Sequence, residues 1–236
     1  IRDRGNSMAV FNSNDIYPVS ADSELPFEQH RDIFHLTGID QEETILLLYP
    51  PSKDDKTREI LFIRKSDNHT KVWEGEKLSK KQANELSGID SIYFIDDFKD
   101  ILSSIATKVD TFYINKNEHY RANSPVETRE DRFISWLLKK YPAHNVAKSN
   151  PILQRQRSIK HPDEIDQIKK ACNITRKGFN RVLEFIKPNV WEYEIEAEFI
   201  HEFINSSSKG FAYSPIIASG NDNNVLHYIK NNKQCK

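Results

Sequence analysis

A chain of 236 residues with 37% hydrophobic and 11% aromatic content can bury a substantial core, and its size fits one large domain or one domain with part of a second. With 34 Lys and Arg against 35 Asp and Glu, the formal net charge of -1 gives no electrostatic reason to expect nucleic acid or an anionic membrane as partner. No run approaches the roughly 18 apolar residues of a membrane-spanning helix, residues 1–5 lack the apolar core of a signal peptide, and Cys172 and Cys235 form neither a CxxC pair nor a disulfide framework, so a cytoplasmic protein with reduced thiols is expected.

Residues 8–11, Met-Ala-Val-Phe, predict a short buried strand, and the denser apolar run 44–49, stopped by Pro50 and Pro51, predicts a second. A third strand is predicted at 59–63, paired with the second through the polar connection 52–58. Phe98, Ile101, Leu102 and Ile105 have the spacing of a helix that returns to a strand at 111–114, and a further helix runs from about Glu127 to Lys140. This alternation indicates an α/β layered domain over residues 1–150. The polar, proline-ended stretch 147–151 marks its end, and 151–161 reads as a linker.

Pro162 and the acidic pair behind it suit the start of a helix. In that helix Ile165, Ile168, Cys172, Thr175, Phe179, Val182 and Ile186 share one face before Pro188 closes it. A second helix, 192–204, carries Ile195, Phe199 and Phe203 at four-residue intervals. Its glutamates, Glu192, Glu194, Glu196, Glu198 and Glu202, alternate around the helix and read as a solvated surface, not a converging metal site. The run 211–220 has the pattern of a buried strand, containing Ile216 and Ile217, that delivers His227 into a polar loop.

Most motifs that would carry chemistry fail on spacing. His201-Glu-Phe-Ile-Asn205 has asparagine where the HExxH pattern needs a second histidine one helical turn away to share a metal. Ala218-Ser-Gly220 lacks the earlier glycine of a nucleophile elbow, and no phosphate-binding loop occurs among the seven glycines. His227 remains, because imidazole titrates near neutrality and suits proton donation or acceptance. Beside Val225, Leu226 and Tyr228, a structural hydrogen-bonding histidine is the simpler reading of the spacing alone.

Several separated segments change that reading. Residues 21–39, Trp73-Glu-Gly-Glu-Lys-Leu78, Arg157-Ser-Ile-Lys-His-Pro-Asp-Glu-Ile165, Tyr213-Ser-Pro-Ile-Ile-Ala-Ser-Gly220, Leu226-His-Tyr228 and Asn231 follow one another in an order that resembles the Xaa-Pro aminopeptidase branch of the creatinase, prolidase and aminopeptidase P family. The resemblance covers essentially the whole chain. It implies an α/β creatinase-type amino-terminal domain, a mixed sheet flanked by helices, over 1–150, and the first, incomplete part of a "pita-bread" α/β catalytic domain over 162–236. The implied reaction is hydrolysis of the bond between an amino-terminal residue and a following proline.

In that family two divalent ions, expected to be manganese, hold the attacking water, and the resemblance places their Asp, His and Glu ligands beyond the His-Tyr motif. No metal ligand is therefore assigned here, and the 236-residue chain by itself is expected to be metal-free and inactive. By the same resemblance His227 is the catalytic histidine that approaches the scissile carbonyl, Tyr213 lines the substrate pocket, and Trp73 reaches a substrate in a neighbouring subunit. The implied partners are peptides with proline in second position and further copies of the chain, as a dimer or tetramer. Two alternatives stay open: a noncatalytic peptide- or protein-binding module of the same architecture, and a prolidase, which cleaves only dipeptides.

Overall fold

In the computed structural model, which describes residues 5–116, 118, 119, 121 and 124–236, strand β1 (Ser7–Asn12) is buried along its whole length. Its alternation sends Met8 and Val10 to one face and Ala9 and Phe11 to the other, and an apolar layer forms on each. A small hairpin, β2 (Pro18–Ser20) with β3 (Ser23–Glu24), leads to helix α1 (Arg31–Thr37), strand β4 (Ile45–Leu48), the single turn α2 (Asp55–Arg58) and strand β5 (Glu59–Ile63). Helices α3 (Asn68–Trp73) and α4 (Lys80–Ser87) precede strand β6 (Ser91–Phe94). Helix α5 (Phe98–Ala106), strand β7 (Thr111–Ile114), helix α6 (Arg129–Lys140), strand β8 (Asn145–Lys148) and helix α7 (Asn150–Ser158) follow.

One six-stranded sheet results, in the order β6-β5-β4-β1-β7-β8. β1 runs antiparallel to β4 and parallel to β7, β4 and β5 form the expected antiparallel pair, and the outer pairs β5-β6 and β7-β8 are parallel. Leu102 and Ile105 of α5 and Phe133 and Leu137 of α6 cover the Val10 face. Ile33 of α1, Ala83 of α4 and Leu153 of α7 cover the Phe11 face. The mixed sheet flanked by helices is the expected α/β class.

The chain divides into two units, Ile1–Ser158 and Ile159–Lys236. The stretch 151–161 was expected to be a linker, but through Ser158 it is helix α7 and belongs to the first unit. Pro151 sits in the first turn, where its missing N–H breaks no helical bond, so the proline opens a helix instead of ending a domain. Buried Ser149 joins α7 to the sheet: its amide and its hydroxyl both donate to the Ile114 carbonyl, each at 2.9 Å.

The second unit contains α8 (Pro162–Phe185) and α9 (Glu192–Asn205) around a small core of Val182, Val190 and Ile195. Helix α8 starts at Pro162 as expected, but Ile165, Ile168, Phe179 and Ile186 on its apolar face are exposed. The run 211–220, expected as a buried strand, forms no strand. Pro215 has no N–H to offer a ladder, and the Ile217 and Ser219 amides donate to the side chains of Asn231 and Glu192 instead of to a neighbouring strand.

The helices meet at Gly178, where an added Cβ would lie 2.9 Å from Phe203 Cε1 and 3.0 Å from Phe199 Cδ1. Phe203 is itself buried, so it has little room to withdraw. Gly178→Val is expected to destabilise this unit by roughly 2 kcal/mol, read as faster native-state amide exchange in α8 and α9 with the sheet amides unchanged.

Candidate functional site

The carboxylate of Glu192, the first residue of α9, is fully buried, although the charge pattern had placed it on a solvated surface. It accepts hydrogen bonds from the Tyr228 hydroxyl at 2.7 Å, the Ser219 amide at 2.8 Å and the Lys233 amide at 3.0 Å. A helix amino end favours a negative charge at this position. Burial pushes the Glu192 carboxyl up, but the Tyr228 hydroxyl and the Lys233 and Ser219 amides outweigh it and hold the carboxyl below its ordinary value. The same bond raises the Tyr228 phenol above its ordinary value.

Asn231 makes a second tie. Its Nδ2 donates to Glu196 Oε2 at 2.8 Å and to the Pro215 carbonyl at 3.2 Å, while its Oδ1 accepts the Ile217 amide at 3.1 Å. Asn231 has φ 43°, in the left-handed region that asparagine tolerates better than most residues. Two side chains thus join residues 215–219, residues 228–233 and α9 into one knot. His227 precedes Tyr228, so its backbone is held by the knot while its side chain is exposed and has no hydrogen-bond partner among the described residues. Such an imidazole is free to donate to or accept from a bound ligand.

Beside α9 lies an aromatic cleft of about 330 Å³, walled by Phe179, Phe199, Phe203 and Phe211. Phe179 meets Phe199 edge-on at 5.0 Å, and Phe203 meets Phe211 edge-on at 5.1 Å, the arrangement that ring quadrupoles favour. Tyr213 stands at the rim and is 78% exposed. His227 does not line this cleft, so the two expected site residues of this unit occupy different places in it. Trp73, in the first unit, ends α3, is 74% exposed and stacks on His69 with centroids 5.9 Å apart. Among the described residues no three His, Cys, Asp or Glu side chains gather to hold a metal ion, and no helix is long and apolar enough to cross a membrane.

Residues 2–113 match the family model for the aminopeptidase P N-terminal domain, and residues 166–236 match metallopeptidase family M24. Together the two matches make the chain similar to an aminopeptidase P-type amino-terminal domain followed by part of an M24 metallopeptidase domain. Xaa-Pro aminopeptidase of Escherichia coli K12 is 28% identical over 218 residues, which is 90% of the chain and 48% of that relative. Xaa-Pro aminopeptidase 3 of Homo sapiens is 27% identical over 227 residues, or 95% and 44%. The structure of Pseudomonas aeruginosa aminopeptidase PepP aligns with a TM-score of 0.85 and 25% identity, covering 98% of the chain and 52% of that protein. Zn-substituted E. coli aminopeptidase P in complex with product aligns with a TM-score of 0.83 and 27% identity, at the same coverage. The chain spans about half the length of the curated relatives it matches.

Because the folded-state pKa of Glu192 lies below its unfolded value, its contribution to stability is complete above the unfolded pKa and is lost as the pH falls through the folded one. Glu192→Gln is expected to cost roughly 2–3 kcal/mol at neutral pH, the loss of charge-assisted bonds to a buried group. At a pH of about 4 the difference from the wild type is expected to narrow; amide exchange in α9 at the two pH values measures both effects.

Proposed function

We propose that the chain is part of an Xaa-Pro aminopeptidase, which releases the amino-terminal residue from peptides whose second residue is proline. The observation that carries this reading is His227: an exposed imidazole on a backbone fixed by a buried carboxylate, within a Leu226-His-Tyr228 motif, in a chain aligned along 90% of its length with a relative of that name.

His227 donates a hydrogen bond to the scissile carbonyl oxygen and holds it as negative charge develops there. The Glu192–Tyr228 bond keeps the adjoining backbone from yielding to that charge. Tyr213, at the rim of the aromatic cleft, offers a ring edge and a hydroxyl to an apolar substrate side chain. Trp73 contacts the substrate held by a neighbouring copy, in a dimer or tetramer.

Family M24 implies divalent metal ions, and manganese is the pair we assign; when bound, they supply a deprotonated water as nucleophile. The described residues do not fit such a centre, since no three potential ligands gather among them. We place the ligands in the part of the relatives' length that the chain does not span. The cytoplasm is the proposed compartment.

With the chain continued to the length of its relatives, an Xaa-Pro-Xaa tripeptide is expected to lose its first residue in the presence of manganese and to stay intact with chelator. His227→Ala in that polypeptide is expected to lower kcat by roughly 10²–10³-fold, the usual loss of one oxyanion donor. Cleavage of dipeptides alone would assign a prolidase, and no release by the folded, metal-loaded protein would assign a binding module.

A further inference from the structure

Arg64 follows the last residue of β5 and is the centre of a charge network with Glu42, Glu43, Glu74 and Lys77. Its Nη1 donates to Glu74 Oε2 at 2.7 Å and its Nη2 to Glu74 Oε1 at 2.8 Å, a two-pronged grip, and Nη1 also reaches Glu42 Oε1 at 2.9 Å. Lys77 Nζ closes the ring, 2.7 Å from Glu42 Oε1 and 3.0 Å from Glu74 Oε2. Gly75, with φ +84°, carries the chain through the left-handed region between Glu74, which pairs with Arg64, and Lys77, which pairs with Glu42 and Glu74. Glu42 is buried, and although burial pushes its carboxyl up, Lys77 and Arg64 bring it below its ordinary value.

This ring adds nothing to the apolar layers of the sheet. What it fixes is the segment after α3, and the two residues immediately before Glu74 are Val72 and Trp73, 81% and 74% exposed. An exposed tryptophan at an unanchored helix end would sample many positions as that end frays, and holding it in one costs conformational entropy. Here its backbone is clamped through Glu74 and its ring leans on His69 one helical turn earlier. A planar guanidinium fork fixes direction as well as distance, which a lysine in its place would not.

We propose that Arg64 is a positioning residue for Trp73: by clamping Glu74 it presents the exposed indole, backed by His69, as a fixed aromatic face for a bound peptide. The inference rests on the reading of Trp73 as a substrate-binding residue given under the proposed function, and it adds the element that makes that contact reproducible.

Fluorine NMR of the full chain labelled with fluorotryptophan tests the positioning directly. The chain has three tryptophans, and the Trp73 signal is identified by its loss in Trp73→Phe. In Arg64→Ala and Arg64→Lys the Trp73 line is expected to move and to narrow by about twofold as the indole gains fast motion, while the Trp136 and Trp191 lines stay in place and report an intact fold. Glu74→Gln, which weakens the clamp from outside the sheet, is expected to do the same. A Trp73 line unchanged in Arg64→Ala overturns the proposal.

The second arm reads peptide cleavage at the relatives' full length. Arg64→Ala is expected to raise KM for an Xaa-Pro-Xaa tripeptide by about tenfold with little change in kcat, and to add nothing in a Trp73→Ala background. A mobile Trp73 with an unaltered KM overturns both the substrate role of this clamp and the reading of Trp73 on which it rests.

Discussion

The amino-terminal unit depends on a six-residue strand that has no outside. Because β1 is buried on both faces, each face needs its own apolar cover, and the helices divide accordingly. The strand ends are where this constraint stops, and polar side chains gather there. Asn12, at the end of β1, donates to Glu130 of α6 at 2.7 Å, and Asn115, just past β7, donates to Asp32 of α1 at 3.1 Å. Arg64, just past β5, clamps Glu74. Each bond ties a strand end to a segment elsewhere in the unit, α6 for β1, α1 for β7 and the residue after α3 for β5, so the sheet sets where the loops begin and the polar pairs fix where the helices stand against it. Burial is felt at these ends: it pushes the Glu130 carboxyl up, against the bonds from Asn12 and the Asn115 amide.

The second unit works in the opposite way. Its apolar core is small, its long helix shows most of its hydrophobic face, and its irregular segments are held by the side chains of Glu192 and Asn231. A carboxylate surrounded by donors fixes geometry through direction, whereas apolar packing fixes it through volume. That difference suits a segment that carries the exposed His227 on irregular backbone.

The two units also differed in how openly the sequence spoke. Strands at 8–11, 44–49, 59–63 and 111–114 were legible because continuous apolar runs bounded by polar or proline residues leave few alternatives in a layered fold. The helix at 127–140 and the one opened by Pro162 were legible from periodicity and end chemistry. Pro151 misled, since a proline marks the first turn of a helix as readily as the end of a domain. The run 211–220 misled because its apolar residues resemble a buried strand, while the hydrogen-bond partners that decide the matter are side chains 14 and 27 residues away. Glu192 was hidden for the same reason: among five alternating glutamates nothing local distinguishes the one whose donors come from residues 219, 228 and 233. His227 stood out by residue type and by the loop it occupies, but the roles expected of it, of Tyr213 and of Trp73 came from the resemblance and not from their spacing.

The sheet ends on both sides in strands of only four residues, β6 and β8. At β6, Lys80 lies over the rings of Phe94 and Tyr93, 4.5 and 5.5 Å from their centroids, and at β8 the last residue is Lys148, paired with Glu118. Short edges bearing lysine are poor templates for a further strand, because an incoming chain gains few ladder bonds and must displace a charge. The unit is therefore guarded against growing edge to edge, which favours recognition of a copy or partner through side chains over backbone pairing and makes the outcome of such an encounter depend on sequence.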